Sequence, residues 1–175
     1  VESNTDMSKE LAKGHDISFA DRVLMAKVMM NAIAALHEAG IVHTDLKPDN
    51  ILLIPNDNPA FDAKYFPKLI DMDFSLQENK RAPWHGINGY TGTPGYFSPE
   101  HLAKGGIPEP ASDVFTCGLI LCELLSEKHP LLDLAMDQDA YREKINARQI
   151  SCAPLLGKME DLDEPASSEA LVNVI

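Results

Sequence analysis

The sequence lacks the features that define several large classes of protein. No uninterrupted apolar stretch approaches the ~20 residues that a membrane-spanning helix needs. The three cysteines, Cys117, Cys122 and Cys152, form no Cys-x-x-Cys pair, and no two histidines have zinc-finger spacing. A disulfide scaffold and a structural zinc site are therefore not expected. Because the first residues also lack the basic and apolar regions of a signal peptide, we expect a cytoplasmic protein with reduced thiols.

Positive charge is scarce in this chain. Lys and Arg number 15 against 27 Asp and Glu, which gives a net charge of −12. Non-specific binding to nucleic acid or to an anionic membrane is not expected of so acidic a chain. Hydrophobic residues make up 45%, which argues against disorder. The 175 residues suffice for one domain or for a large part of a bigger one.

The hydrophobic pattern predicts a mainly α-helical fold that contains one small β-hairpin. Helices are predicted at 5–13 and 18–38, from just after Asp113 to 127, and at 137–148 and 167–175. Gly40 lies just past the second helix, where a C-terminal capping residue is expected. Short apolar runs at 51–54 and 68–70 predict two strands that pair with each other. Residues 73–99 are broken by proline and glycine and are predicted to be irregular.

Three polar residues at the ends of the predicted hairpin suggest a phosphate-handling site. A hairpin brings its outer ends together, so Asn50 and Asp73 should be close, and their oxygens suit Mg²⁺. Asp45 is then placed to act as a base or to orient an attacking hydroxyl, and Lys47 to steady a migrating phosphoryl group. For spacing alone, solvated polar side chains of a loop explain the pattern equally well.

Four segments resemble motifs of the protein kinases, in the order in which that family has them. Residues 43–50, His-Thr-Asp-Leu-Lys-Pro-Asp-Asn, resemble the catalytic loop H-R-D-L-K-P-x-N, and Asp-Phe-Ser at 73–75 resembles D-F-G. Residues 92–100 resemble G-T-x-x-Y-x-A-P-E, and 113–118 resemble D-x-W-S-x-G. The chain is thereby identified as similar to the C-terminal lobe of eukaryotic-like Ser/Thr protein kinases, with a mainly α fold and a small β-hairpin within an α+β parent domain.

The resemblance implies a role for each residue that matches a motif. Asp45 would be the catalytic base that accepts the proton of the substrate hydroxyl. Asn50 would hold one Mg²⁺, and Asp73 would bridge the metals and the β- and γ-phosphates of ATP. Lys47 would contact the γ-phosphate, and Thr93 would hydrogen-bond near Asp45 and shape the acceptor site. The cofactors implied are ATP and Mg²⁺, and the implied substrate is a protein that bears a Ser or Thr hydroxyl.

Further implied roles are structural. His43 would pack near Phe74 without titrating as a catalyst. Asp113 would cap the central helix and hold the backbone of the catalytic loop. The other histidines, including His101 and His129, have no partner spacing, so we expect them at the surface or in helix caps.

Two residues depart from the family pattern. Thr44 replaces the Arg of H-R-D, which in the family receives a phosphorylated activation-loop residue, so activation independent of that pair is expected. Ser75 replaces the Gly of D-F-G, and a left-handed conformation there would cost about 1 kcal/mol or more. No metal ligand is lost by either change.

The resemblance also implies how the chain relates to a whole kinase domain. Residues 1–175 would be one C-terminal lobe, truncated at both ends, from the interlobe hinge to a late helix. The N-terminal lobe, with its Gly-rich loop and strand Lys, would be a missing partner that is needed to bind ATP well. Two alternatives stay open: a pseudokinase or nucleotide-binding scaffold without turnover, and a small-molecule phosphotransferase of the aminoglycoside kinase kind. The latter kind lacks the segments resembled by 92–100 and 113–118.

Overall fold

The computed structural model describes residues 5–13, 17–58, 63–77, 80 and 92–150. The predicted helix at 167–175, Cys152 and most of 78–91 lie outside the described residues. The helices are α1 (Met7–Lys13), α2 (Phe19–Glu38), α3 (Pro99–Leu102), α4 (Pro110–Ser126) and α5 (Gln138–Asn146), with short 3-10 turns at Pro48–Asn50 and Leu132–Leu134. The strands are β1 (Thr5–Asp6), β2 (Ile41–Val42), β3 (Ile51–Pro55), β4 (Tyr65–Leu69) and β5 (Leu76–Gln77).

Local capping signals explain why α2 begins and ends as predicted. The Ser18 hydroxyl accepts a hydrogen bond from the Asp21 amide at 3.1 Å, which satisfies one of the unpaired donors of the first turn. At the other end Gly40 has φ 69°, a left-handed conformation that glycine adopts cheaply. The buried side of this helix includes Met25, Met29 and Ile33, which pack against α4.

Helix α4 begins at Pro110, earlier than the predicted start just after Asp113. Proline is favoured in the first turn because its missing N–H would have no partner there. The residue that flanks the helix is Glu109, whose amide donates to the Ser112 hydroxyl at 3.1 Å. The predicted capping role of Asp113 is therefore wrong, because this residue lies inside the first turns of the helix, where its carboxylate has other partners.

The predicted hairpin is present, and it belongs to a three-stranded antiparallel sheet. Strand β3 lies in the middle between β1 and β4, with Ile51 opposite Leu69 and Leu53 opposite Pro67. Strand β4 starts at Tyr65, three residues before the predicted start. Residues 5–6 were predicted to open the first helix, but they form β1 instead, because Thr5 pairs with Leu53 at the open side of β3.

A second small sheet was not predicted from the sequence. Strand β2 pairs with β5 in antiparallel fashion, with Val42 opposite Leu76. Strand β2 leads directly into loop 43–50, and β5 follows Asp73 within three residues. This two-residue ladder therefore ties together the two chain segments that carry the predicted site residues.

Helix α4 lies between two apolar clusters, which explains its nearly uniform apolar sequence. One cluster joins it to α2 and the three-stranded sheet, and the second contains residues of α3 and α5 together with Phe97 and Leu131. Cys117 and Cys122 are buried and unbonded to each other, as expected of small core residues. In the described part of the chain, no helix has both the length and the apolarity that crossing a membrane requires.

Arg22 is a buried charge that connects α2 to the end of α4. Its Nη1 donates to the Leu124 carbonyl at 3.0 Å, and its Nε donates to the Ile17 carbonyl at 3.1 Å. Its Nη2 lies 2.7 Å from the Glu127 carboxylate. A guanidinium that is only 5% exposed needs such partners, because an unpaired buried charge is strongly destabilising.

We expect Arg22→Met to lower the free energy of unfolding by about 2–4 kcal/mol, because it leaves two buried carbonyls and Glu127 without their donor. Urea titration of the full-length protein, followed by circular dichroism, measures the change. Arg142→Met is the matched control, since Arg142 pairs with an exposed Asp139 on α5 and should contribute less than about 0.5 kcal/mol. Equal shifts in the two variants would contradict the structural role of Arg22.

Candidate active site

The backbone of loop 43–50 is held by one buried carboxylate. Asp113 accepts from the His43 amide at 2.7 Å and from the Thr44 amide at 2.9 Å, through different oxygens. The same carboxylate accepts from His37 Nε2 at 2.9 Å, and Asp113 is only 1% exposed. Charge-assisted hydrogen bonds of this kind are shorter and stronger than neutral ones. Helix α4 therefore fixes the loop just before Asp45.

Three of the predicted site residues meet in one cluster. The Thr93 hydroxyl donates to Asp45 Oδ1 at 2.7 Å and accepts from Lys47 Nζ at 2.9 Å. Lys47 Nζ also lies 3.5 Å from Asp45 Oδ2. Because Thr93 is 48 residues from Asp45 in the chain, only the tertiary fold brings it to the loop. The cluster presents a carboxylate and a cation joined by a single hydroxyl.

Asn50 is oriented by the residue five positions before it. Its Nδ2 donates to the Asp45 carbonyl at 2.8 Å and lies 3.5 Å from Asp45 Oδ2. Asn50 is buried, at the end of the 3-10 turn that leads into β3. With its amide nitrogen engaged in this way, the side-chain oxygen is the atom of Asn50 that can bind a cation.

Contacts on both sides of Asp73 bring it to the loop. Before it, the Ile70 amide donates to the Asn50 carbonyl at 3.0 Å. After it, the Phe74 carbonyl accepts from Thr44 Oγ1 at 2.8 Å. Asp73 itself is exposed, and no described residue hydrogen-bonds to its side chain. Its carboxylate is thus available at the same end of the hairpin as Asn50.

His43 is completely buried beneath this segment. Its Nε2 donates to the Ile70 carbonyl at 3.2 Å, and its backbone amide is held by Asp113. The ring therefore helps to join the loop to the end of β4.

Backbone strain lies at Thr44 and not at Ser75. Thr44 has φ 71°, and a β-branched residue in the left-handed region costs about 1–2 kcal/mol. Ser75 is not among the described residues with positive φ; its amide and hydroxyl both donate to the Met72 carbonyl, at 3.0 and 2.7 Å. Ser75 therefore does not incur the cost that a left-handed conformation would carry, because a local turn accommodates the serine.

A partly buried polar group that includes Tyr96, Glu123 and the buried His129 was missed by sequence reasoning. The Tyr96 hydroxyl donates to Glu123 at 2.8 Å, and its ring meets His129 edge to face at 4.8 Å between centroids. Burial raises the pKa of Glu123 and lowers that of His129 to about 4. The expectation that His129 lies at the surface or in a cap is wrong, because its ring is buried against Tyr96. In the sequence, the aromatic Tyr96 was the only sign of this packing.

Comparison with known proteins shows which family the chain belongs to. The chain matches the model of the protein kinase domain over residues 2–172. A calcium/calmodulin-dependent protein kinase type II of Caenorhabditis elegans is 39% identical over 125 residues, which are 71% of this chain and 16% of that protein. The CBL-interacting serine/threonine-protein kinase 24 of Arabidopsis thaliana is 33% identical over 126 residues, which are 72% of this chain and 26% of that protein.

The chain therefore belongs to the protein kinase domain family. Its matched part spans about a quarter or less of the length of these curated relatives.

Burial of His129 makes stability depend on pH. Its pKa falls from 6.5 to about 4 on folding, so below pH 6.5 the unfolded chain binds a proton that the folded chain does not. The free energy of unfolding is therefore highest above pH 6.5 and decreases as the pH falls. Between pH 7 and pH 5 the loss due to His129 is about 1–2 kcal/mol. Urea titrations at both pH values should show a smaller loss in His129→Asn, which keeps an acceptor for the Leu131 amide. The same loss in both proteins would contradict this assignment.

Proposed function

We propose that the protein transfers the γ-phosphoryl group of ATP to a Ser or Thr hydroxyl of a protein substrate. The observation that carries this proposal is the cluster of Asp45, Lys47 and Thr93, whose side chains meet within 2.7–3.5 Å. Membership of the protein kinase family supports it, as does the Ser/Thr kinase designation of the Arabidopsis relative.

Asp45 is the base in this proposal. As the acceptor hydroxyl attacks phosphorus, its proton passes to the Asp45 carboxylate, a new P–O bond forms, and the bond to the β-phosphate oxygen breaks to release ADP. The Thr93 hydroxyl donates to Asp45 Oδ1 at 2.7 Å and so orients the carboxylate. The other oxygen, Oδ2, lies 3.5 Å from both Lys47 Nζ and Asn50 Nδ2 and is the proposed acceptor of the proton from the incoming hydroxyl. Lys47 places a positive charge beside the position of the transferred group.

Asn50 and Asp73 are the proposed Mg²⁺ ligands. An amide oxygen and a carboxylate are hard oxygen donors, and Mg²⁺ with bound nucleotide takes only one or two ligands from protein. The hydrogen bond of Asn50 Nδ2 to the Asp45 carbonyl supports this role, because it turns the amide oxygen away from Asp45. The exposed Asp73 fits as well. When bound, Mg²⁺ supplies charge neutralisation for the phosphates.

The described fold also supports a proposal about architecture. We propose that this chain forms the C-terminal lobe of the kinase domain and binds ATP together with an N-terminal lobe. Its mainly helical elements and the single hairpin that carries Asn50 and Asp73 at its ends are the supporting features.

Activation without a phosphate clamp on the catalytic loop follows from Thr44. A threonine has no positive charge to bind a phosphorylated residue. Its hydroxyl donates to the Phe74 carbonyl instead, so the loop and the segment of Asp73 are joined by a neutral hydrogen bond.

Asp45→Asn should reduce phosphoryl transfer by about 10²–10⁴-fold, because the amide cannot accept the hydroxyl proton. The measurement is transfer from labelled Mg-ATP to a generic basic protein by the full-length protein, with autophosphorylation followed in parallel. Asp139→Asn, an exposed carboxylate on α5, is the control and should behave as the wild type.

Two outcomes would contradict the proposal. Transfer that survives Asp45→Asn would mean that the base lies elsewhere. A wild-type protein that binds ATP but transfers no phosphate would favour the scaffold alternative.

Thr93→Val should lower kcat by about tenfold or more, since it removes the hydroxyl that joins Asp45 to Lys47. Thr93→Ser keeps the hydroxyl and should restore most of the activity. Steady-state kinetics on the same acceptor distinguish the two variants. Wild-type activity in Thr93→Val would contradict the role of the hydroxyl, and an equal loss in both variants would indicate that the hydroxyl alone does not account for the effect of Thr93.

A further inference from the structure

His101 connects helix α3 to the catalytic loop, although 57 residues separate it from Thr44. Its ring is buried, and Nε2 lies 2.9 Å from the Thr44 carbonyl. Its Nδ1 lies 2.8 Å from the Ser98 hydroxyl and 3.2 Å from the Ser98 amide. The sequence suggested that this residue lies at the surface or in a helix cap. It is buried and not at the surface, it does cap α3, and it also contacts loop 43–50.

The partners of the two ring nitrogens define the form of the imidazole. The Thr44 carbonyl can only accept, so Nε2 carries the hydrogen, whereas the Ser98 amide can only donate, so Nδ1 keeps its lone pair. The ring is therefore neutral, and burial lowers the pKa of His101, which favours that form. The nearby negative charges, which oppose this shift, are those of Asp113, Glu100 and Asp45.

Packing holds the ring in place from another side. Phe97 stacks on it with 5.6 Å between ring centroids and an interplanar angle of 27°. A Cβ at Gly92 would lie 3.1 Å from the Phe97 ring and 3.4 Å from the Thr44 carbonyl oxygen. The ring of Phe97 and the Thr44 carbonyl thus pack closely around Gly92, which immediately precedes Thr93.

All three polar groups of Thr44 have partners on different segments. Asp113 on α4 holds its amide, the Phe74 carbonyl holds its hydroxyl, and His101 on α3 holds its carbonyl. A strained backbone conformation persists only where such surroundings over-determine it.

We propose that His101 is a positioning residue for Asp45. The Thr44 carbonyl belongs to the peptide group that joins Thr44 to Asp45, so the bond from Nε2 fixes the plane of that peptide. The direction of the Asp45 side chain follows from that plane. The kinetic consequence rests on the proposed kinase function, whereas the structural consequence does not.

Three variants of the full-length protein distinguish the hydrogen bond at Nε2 of His101 from the hydrogen bonds at Nδ1. In His101→Asn the side-chain oxygen lies near the position of Nδ1, so the acceptor for Ser98 is kept and the donor to Thr44 is lost. His101→Gln is longer and places an amide donor near the position of Nε2. Ser98→Ala removes the hydroxyl on the Nδ1 side and leaves the bond to Thr44.

The first readout is hydrogen exchange of the amides at 43–46, and the second is steady-state kinetics. We expect exchange in His101→Asn to be at least about tenfold faster than in the wild type, with His101→Gln and Ser98→Ala within about threefold. The kcat of His101→Asn should fall by about 10–100-fold, while the KM for ATP and the KM for the protein acceptor should stay within about twofold of the wild-type values. His101→Gln should restore most of the kcat.

The proposal is overturned if His101→Asn exchanges no faster at 43–46 than Ser98→Ala does. It is also overturned if an active His101→Gln loses as much kcat as His101→Asn. Should the wild type transfer no phosphate, the kinase function fails, and the exchange comparison alone decides the role of His101.

Discussion

The hydrogen bonds of the buried Asp113 carboxylate are the interactions on which loop 43–50 depends. This carboxylate holds two consecutive amides and a histidine ring, and α4 in turn is held between the two apolar clusters of the structure. Because α4 is packed in the core, these hydrogen bonds fix the backbone at His43 and Thr44 and therefore the position of Asp45, which follows them directly. A loop of polar residues can be rigid when its backbone N–H groups donate to a buried carboxylate, as those of His43 and Thr44 do here.

The second element of this arrangement is the small ladder of β2 and β5. It joins the residues just before His43 to the residues just after Ser75, so the two chain segments of the site are paired to each other. The hydrogen bond from the Thr44 hydroxyl to the Phe74 carbonyl connects these segments at a second point. The described loops of the site are therefore fastened to neighbouring elements by these contacts.

Local signals determined which parts of this arrangement were predictable. Helix α2 was predicted within one residue because Ser18 and Gly40 mark its ends in the sequence, and the hairpin followed from two apolar runs. The ladder of β2 and β5 was missed because two-residue strands carry no periodicity. The family resemblance implied that Asp113 caps α4, but the helix begins three residues earlier, at Pro110. The candidate site residues were predicted from motifs. The strain at Thr44 and the hydrogen bond from His101 to Thr44 were not, because they depend on contacts between residues far apart in sequence.

Pro67 has a consequence for the behaviour of the folded protein in a crowded solution. It occupies the middle of β4, an edge strand of the three-stranded sheet, and the charged Lys68 beside it is exposed. An edge strand is a template on which another chain can add itself, and proline and lysine both discourage such pairing. The hairpin that carries Asn50 and Asp73 is thus protected against edge-to-edge aggregation by the residues of its outer strand.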